Sequence, residues 1–147
     1  MFATIRIAKQ EDIEAMTDLL EELFFIESYF VIDSQKQKIG LKLLLKSQNA
    51  KVWVAEKDDK IVGMCTMQQL LSTAEGGIVG LIEDVIIQKK YRCQGIGHHL
   101  LFYAEQFAKQ AGLLRLQLLT DSNNESAMKF YEKENWGKTR LIAFRKK

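Results

Sequence analysis

One stretch of the sequence, residues 80–101, changes its hydrophobic period part-way along and constrains the fold more than any other. From Leu81 to Ile87 it is short, rich in Ile and Val, and apolar apart from Glu83 and Asp84, which predicts a strand buried on both faces. From Ile96 onward, apolar residues recur every three or four positions, which predicts a helix with one apolar face. A buried strand that leads directly into an amphipathic helix indicates a domain in which helices cover a sheet.

The connection between this strand and this helix has the composition of a phosphate-binding loop. It contains Lys89, Lys90 and Arg92, followed by the glycine pair Gly95 and Gly97. Glycine lets the backbone approach a ligand closely, and the first turn of a helix presents unpaired N–H groups that favour an anion. We therefore predict a phosphate seat at the start of the helix. The alternative is an ordinary strand-to-helix turn in which the glycines only allow the chain to change direction.

The same glycines partly fit the dinucleotide-binding fingerprint Gly-x-Gly-x-x-Gly. Leu100 stands where the third glycine is required, and the pair lies beyond the middle of the chain rather than in the first strand–helix unit. Asp121 lies at a tolerable distance for the acid that this fingerprint expects about 20 residues further on. A nucleotide-binding protein is therefore kept as an alternative function.

Length and composition predict one globular domain over residues 1–147, with 47% hydrophobic and 27% charged residues. The net charge of +2 is too small to indicate nucleic acid or a membrane as the main partner. No apolar run reaches the ~18 to 20 residues that span a bilayer, and the N-terminus lacks the features of a signal peptide, so we expect a cytoplasmic protein. Cys65 and Cys93 lack metal-ligand spacing, and the adjacent His98 and His99 would not share a metal, so no metal site is predicted.

The rest of the chain predicts an α/β or α+β domain with a mixed sheet, because strand and helix patterns alternate. Alternating residues predict further strands over Thr4–Ala8, Val52–Glu56, Ile61–Gln69, Leu114–Leu119 and Lys138–Arg145. Capping residues predict helix starts near Glu11, at Asp33 or Ser34, and within residues 122–125.

Three separated motifs resemble those of the GCN5-related N-acetyltransferase (GNAT) superfamily. Arg92-Cys93-Gln94-Gly95-Ile96-Gly97 matches the pattern Arg/Gln-x-x-Gly-x-Gly/Ala, which marks the acetyl-CoA pyrophosphate loop of that family. Val85-x-Ile87 precedes it at the family's spacing, and Asn124-x-x-Ala127 followed by Phe130-Tyr131-Glu132-Lys133 is similar to the family's closing motif. The order of elements also agrees, so the resemblance covers nearly the whole chain. The strand over residues 82–85 also resembles that of glucosamine-6-phosphate N-acetyltransferases.

The resemblance implies a GNAT-type mixed, mostly antiparallel central sheet flanked by helices. Its fourth and fifth strands would splay apart, and acetyl-CoA would lie in the gap. The pantetheine arm would pair with the backbone of the fourth strand like an added strand, and the pyrophosphate would sit on the loop N–H groups. The residues predicted to contact acetyl-CoA are Val85, Ile86, Ile87, Arg92, Cys93, Gln94, Gly95, Ile96, Gly97, His98 and Asn124.

Two side chains are candidates for direct chemistry. The resemblance implies that Tyr131 protonates the departing CoA thiolate, which suits a phenol with a pKa near 10; core packing beside Phe130 is the alternative. Glu83 is the preferred general base, because partial burial raises the pKa of a carboxyl group towards neutrality. Asp84 would face the opposite side of an ideal strand, but a bulge, usual in the family, would change which acid faces the cleft.

The resemblance places the acceptor between the first two helices and the loop after the third strand. Acids beside aromatic residues there suit a cationic amine, although an aromatic cluster packing a helix against the sheet fits equally well. The residues predicted to bind the acceptor are Phe25, Glu27, Tyr29, Glu75 and Asp84.

The function implied is an acetyl-CoA-dependent N-acetyltransferase that transfers the acetyl group directly to a primary amine, with a small amine or amino sugar favoured. A protein N-terminus or lysine as acceptor stays open, as does a non-catalytic acyl-CoA-binding regulatory module. Dimers are common among members of the family, so a homodimer also stays open.

Overall fold

The computed structural model describes residues 2–27 and 30–147. Tyr29, which the sequence predicts to contact the acceptor, lies outside these residues. The strands are β1 (Thr4–Ile7), β2 (Ala50–Lys57), β3 (Lys60–Ser72), β4 (Gly77–Ile87) and β5 (Leu116–Leu118). The helices are α1 (Ile13–Ile26), α2 (Ser34–Lys46), α3 (Ile96–Gln110) and α4 (Glu125–Lys133).

The strands form one five-stranded sheet in the order β1-β2-β3-β4-β5. The pairs β1–β2, β2–β3 and β3–β4 are antiparallel, whereas β5 runs parallel to β4. This confirms the predicted mixed, mostly antiparallel sheet flanked by helices. Within the described residues, no helix combines the length and the apolar character needed to cross a bilayer.

Each face of the sheet is covered by helices, because successive side chains of a strand point to opposite sides. Val54 and Ile86 pack with the apolar residues of α1 and α2 on one face. Trp53 and Ile82 pack with those of α3 on the other face. The motif stretch identified in the sequence therefore lies at the centre of the domain, with β4 buried between the two layers.

Predicted capping residues set the starts of two helices. Asp33 accepts a hydrogen bond from the backbone N–H of Lys36 at 3.2 Å and begins α2. Asn124 does the same for Ala127 at 3.2 Å and begins α4. Each cap satisfies one of the N–H groups that the first helical turn leaves without a backbone partner.

The sheet opens between β4 and β5. Their register joins only Gly80 with Leu116, Leu81 with Gln117, and Ile82 with Leu118. Beyond Ile82, β4 continues to Ile87 with no residue of β5 opposite it. Residues 83–87 therefore present a strand edge along the side of the gap, as the predicted splay requires.

The predicted closing strand over Lys138–Arg145 is wrong, because residues 138–147 form neither helix nor strand. A strand needs a backbone partner, and β5 has shortened to three residues from the predicted Leu114–Leu119. The end of the chain lies instead beside the loop after α1, where the Arg145 guanidinium sits 5.4 Å from the centre of the Phe30 ring.

Candidate active site

The connection from β4 to α3 presents a row of backbone N–H groups. Within the described residues, the N–H groups of residues 93–98 donate to no acceptor. Cys93 and Gly95 have left-handed backbone conformations, with φ of +60° and +83°, of the kind that forms an anion-binding concavity. A Cβ atom added to Gly95 would meet nothing within 4 Å, so the space in front of the loop is open. The N–H groups of the loop can therefore donate hydrogen bonds to several oxygens of a phosphate group.

Arg92 braces this loop from behind. Its Nε donates to the carbonyl of Ile87 at 2.7 Å, and its Nη2 donates to Oε1 of Glu22 at 2.8 Å. The same Glu22 oxygen accepts the backbone N–H of Lys89 at 2.9 Å. Arg92 thus ties the loop to β4 and α1, a positioning role that its place in the motif does not reveal.

Gly97 and His98 join the start of α3 to α4. A Cβ atom on Gly97 would lie 3.0 Å from Cζ of Phe130, so the glycine allows the two helices to approach closely. Nδ1 of His98 lies 2.6 Å from Oε2 of Glu134, next to the end of α4. On the other side of the loop, the amide oxygen of Gln94 accepts a hydrogen bond from Lys57 at 2.8 Å.

A bulge in β4 determines which acid enters the interior. The register with β3 shifts between Met64 and Thr66, so that Cys65 lies opposite two residues of β4. Asp84 takes a left-handed φ of +55° at this point and is largely buried, whereas Glu83 stays exposed. The bulge implied by the family resemblance is therefore present, and it turns Asp84 inward.

Asp84 has one neighbouring hydroxyl group. Its Oδ2 lies 3.3 Å from Oγ1 of Thr66, and the same hydroxyl lies 3.1 Å from the carbonyl oxygen of Glu83. Burial raises the pKa of Asp84 to about 6, and the negative charges of Glu83 and Glu27 add to the rise. A carboxylate with this pKa is mostly ionised at neutral pH and can still accept a proton readily.

Three more polar groups belong to the same region. Burial raises the pKa of Glu27, and the negative charge of Asp121 raises it further. A hydrogen bond from Asn124 acts in the opposite direction on the same pKa. The segment between β5 and α4 thus faces the end of α1, and the volume around Glu27 is bordered by Asp84 of β4 and by Asp121.

Tyr131 contributes a phenol to this volume. Burial raises its pKa above the usual range, with further contributions from Cys65 and Glu27, so the hydroxyl stays protonated at neutral pH. The ring packs against Phe130 and Trp136, with centroid distances of 5.3 Å and 6.4 Å. Among the described residues, the hydroxyl has no hydrogen-bond partner, and although the ring is largely buried, the hydroxyl oxygen keeps some exposure to solvent. It is therefore available to donate a proton to a ligand.

Two predicted acceptor residues lie away from this cluster. Phe25 is 81% exposed and lines a shallow groove of about 300 Å³ on the surface of α1. Glu75 lies in the turn between β3 and β4, 3.7 Å from Arg115. Within the described residues, no contact joins either of them to Asp84 or Tyr131, so their roles stay predictions.

Sequence reasoning missed Thr66 as a site residue, and it considered Asp121 only as the acid of a dinucleotide-binding fingerprint. Thr66 sits on an alternating apolar strand, and nothing in that pattern marks its hydroxyl as the neighbour of an acid across the sheet. Asp121 lies in the loop between β5 and α4, and only its distance from the glycine pair marks it in the sequence. No group of three or more His, Cys, Asp or Glu side chains suited to a metal ion occurs in the described part of the chain.

Comparisons with known proteins agree with this geometry. The family model described as "Acetyltransferase (GNAT) family" matches residues 13–136. The aminoalkylphosphonate N-acetyltransferase of Salmonella typhimurium strain LT2 is 28% identical over 132 residues, which cover 90% of this chain and 83% of that protein. The crystal structure of a transcriptional regulator from Bacillus halodurans C-125 superposes with a TM-score of 0.86 at 28% identity, covering 99% of both chains.

A crystal structure of a predicted acetyltransferase with acetyl-CoA from Clostridium acetobutylicum superposes with a TM-score of 0.80. It is 15% identical, covers 97% of this chain and 96% of its own, and supports the fold alone. With a family match over most of its length, an N-acetyltransferase among its relatives and the expected opening in its sheet, this chain belongs to the acetyltransferase (GNAT) family and is an N-acetyltransferase.

Proposed function

We propose that this protein binds acetyl-CoA in the gap between β4 and β5 and transfers the acetyl group directly to a primary amine of a small acceptor. The observation that carries this proposal is the row of N–H groups over residues 93–98, which lies at the end of the strand whose edge is open. The family uses acetyl-CoA, and the Clostridium acetobutylicum relative in fold was crystallised with it.

The backbone provides most of the seat for the cosubstrate. The open edge over Val85, Ile86 and Ile87 can pair with the amide groups of the pantetheine arm, in the manner of an added strand. The N–H groups from Cys93 to His98 can receive the pyrophosphate, helped by the positive end of the α3 dipole. The side chain of Asn124 already caps α4 and hydrogen-bonds to Glu27. Its predicted contact with acetyl-CoA would therefore use hydrogen-bonding positions of the side-chain amide that these two bonds leave open.

Deprotonation of the acceptor is the first chemical requirement. An amine with a pKa near that of lysine, about 10.4, arrives as an ammonium ion and must lose a proton before its nitrogen can attack. We propose Asp84 for this step, directly or through a water molecule, because the bulge turns it inward beside Glu27, whose charge also reaches Tyr131. Glu83, preferred from the sequence, is exposed and remains the competing candidate.

Departure of the thiolate is the second requirement. The amine nitrogen attacks the thioester carbonyl, the C–S bond breaks, the nitrogen releases its second proton to solvent, and the sulfur takes a proton. Tyr131 can supply that proton, because its hydroxyl is protonated at neutral pH and has no other hydrogen-bond partner in the described residues. The phenolate then recovers a proton from solvent, which completes the cycle.

The charges around the site favour a cationic acceptor. Burial raises the pKa values of Glu27 and Asp84, the negative charge of Asp121 adds to the rise for Glu27, and that of Glu27 adds to the rise for Asp84, so an acceptor with a second ammonium group would relieve this repulsion. An amino sugar or a small diamine fits this requirement. The relative from Salmonella typhimurium is named for aminoalkylphosphonates, whose anionic group these carboxylates would repel.

The test is release of the CoA thiol, measured across a panel of small amines, amino sugars, an aminoalkylphosphonate and a lysine-containing peptide. We expect turnover with at least one small cationic amine and an equal yield of acetylated product by mass spectrometry. Faster acetylation of the peptide would reassign the acceptor to proteins. Tight acetyl-CoA binding without turnover on any acceptor would indicate the non-catalytic module instead.

A further inference from the structure

Tyr131 lies on a helix that the core holds through few side chains. The structure describes every residue of α4, and none of them is fully buried. By contrast, α3 buries Leu100, Leu101, Ala104 and Ala108 in the core beneath the sheet. A helix with so little buried surface is held by its individual contacts, and the position of Tyr131 therefore depends on which contacts these are.

The hydroxyl group of Tyr131 does not fix the direction of its own ring. It has no hydrogen-bond partner in the part of the chain that the structure describes, and a group that protonates a ligand has to stay free for that ligand. The ring must therefore be held by its neighbours. The rings of Phe130 and Trp136 lie beside it, and Trp136, which follows the end of α4, is the one that leads to another element.

Trp136 joins Tyr131 to α3 through two hydrogen bonds. The chain turns back after α4 at Asn135, which has a left-handed φ of +68°, and the backbone N–H of Trp136 donates to the carbonyl of Tyr131 at 2.9 Å. The indole Nε1–H of Trp136 donates to Oε1 of Glu105 on α3 at 3.1 Å. A carboxylate accepts an N–H more strongly than a neutral oxygen does, so Glu105 is a firm anchor for the indole.

We propose that Glu105 and Trp136 are positioning residues for Tyr131. Glu105 holds the indole on α3, and the indole holds the phenol ring where its hydroxyl can reach the sulfur of CoA. The pair acts through the general acid assigned above, so this inference rests on the proposed function. A general acid must lie within hydrogen-bond reach of the atom that it protonates, and a displacement of about 1 Å can cost roughly 100-fold in rate.

A second tie holds α4 at the start of α3. Nδ1 of His98 lies 2.6 Å from Oε2 of Glu134, and Gly97 allows Phe130 to approach closely. Glu105 lies about two turns further along α3, roughly 10 Å from His98. Loss of the Glu105 contact should therefore release the indole and the phenol while the phosphate seat and the fold remain.

The first test compares Glu105→Leu with Glu105→Gln and with the matched control Gln106→Leu, at the exposed neighbouring position of α3. Calorimetry measures acetyl-CoA binding, and single-turnover kinetics measure transfer to the fastest amine of the panel. We expect Glu105→Leu to bind acetyl-CoA nearly as the parent does but to transfer the acetyl group at least roughly tenfold more slowly. The amide oxygen of Glu105→Gln can still accept the indole N–H and should restore most of the rate. Trp136→Phe lacks that N–H and should be slowed like Glu105→Leu.

The Tyr131→Phe background decides whether the effect passes through Tyr131. We expect Glu105→Leu to cause little further loss there, because the group that it misplaces is already gone. An equal loss in both backgrounds would overturn the positioning role, as would full activity in Glu105→Leu beside a slow Tyr131→Phe variant, and both results leave the proposed function intact. Full activity in Tyr131→Phe, or no turnover by the parent, would contradict the proposed function and the positioning role with it.

A second measurement needs no acceptor. In protein with ¹³C-labelled tyrosine rings and CoA bound, the Tyr131 signal is the one that Tyr131→Phe removes. We expect Glu105→Leu to shift or broaden this signal, and Glu105→Gln and Gln106→Leu to leave it nearly unchanged. A Tyr131 signal that is the same in the parent and in Glu105→Leu would overturn the positioning role, because the ring would then be held without Glu105.

Discussion

Replacing Asp84 by Asn should make the protein more stable and far less active at neutral pH. Asp84 has a pKa of about 6 against an ordinary value of 3.8, chiefly because it is buried. A carboxyl group whose pKa is higher in the folded state binds its proton more tightly there than in the unfolded chain. Its ionisation therefore costs stability progressively as the pH rises from about 4 to about 6, and the full cost is present at pH 7.

The difference of roughly 2 pKa units corresponds to ~3 kcal/mol of unfolding free energy. Asn cannot ionise, so Asp84→Asn should recover up to ~3 kcal/mol at pH 7.5 and nearly nothing below pH 4. Asn also tolerates the left-handed φ of +55° at this position, so the backbone need not change. Asp59→Asn is the matched control, because Asp59 has a φ of +59° in an exposed turn.

Urea denaturation at pH 7.5 and pH 4 measures the stability difference for both variants. We expect Asp84→Asn to be stabilised only at the higher pH and Asp59→Asn to be unchanged at both. The rate of acetyl transfer should fall by roughly 10²–10⁴-fold in Asp84→Asn if Asp84 is the base. A variant less stable than the parent at pH 7.5 would refute the proposed energetic cost of this carboxylate. A larger rate loss in Glu83→Gln than in Asp84→Asn would make Glu83 the base.

Three further predictions concern the cosubstrate and the chemistry. The transfer rate at saturating substrates should decline as the pH falls through about 6, because Asp84 becomes protonated; a flat profile from pH 8 to pH 5, with chemistry rate-limiting, would remove Asp84 from the mechanism. Gly95→Asp places a negative charge in front of the loop N–H groups and should weaken CoA binding by at least roughly tenfold in calorimetry. Gly112→Asp, with a similar left-handed φ at the far end of α3, is its control and should bind like the parent. Tyr131→Phe should bind acetyl-CoA nearly as the parent does but slow the single-turnover rate roughly 10²–10⁴-fold; weaker binding with an unchanged rate would make Tyr131 a cosubstrate contact.

The sequence predicts most of the sheet and helices because their signals are local. Hydrophobic period, the Asp33 and Asn124 caps and the glycine pair act within a few residues of the feature they produce. The bulge at Asp84 is different, since it arises from the pairing of β4 with β3 and depends on residues far apart in the chain. An ideal alternation points Glu83 and Asp84 to opposite faces but cannot say which of them the bulge will bury.

Long-range contacts also explain the other differences between the features predicted from the sequence and the structure. The motif places Arg92 in the phosphate loop. It gives no sign that the guanidinium instead binds Glu22 of α1 and holds the loop in position from the side away from the ligand. The residues before Arg145 alternate like a strand, but alternation identifies only a segment able to pair and does not provide the partner. β5 is only three residues long and offers a short edge for pairing, so the alternating pattern over residues 138–145 predicts a strand that does not form.

Initial-rate kinetics with both substrates varied test the central claim of direct transfer most directly. On the best acceptor from the panel, double-reciprocal plots at several fixed acetyl-CoA concentrations should intersect, because the amine and acetyl-CoA must occupy the site together before the C–S bond breaks. Parallel lines, accompanied by an acetylated form of the protein detected by mass spectrometry, would contradict direct transfer and indicate a covalent acetyl-enzyme instead.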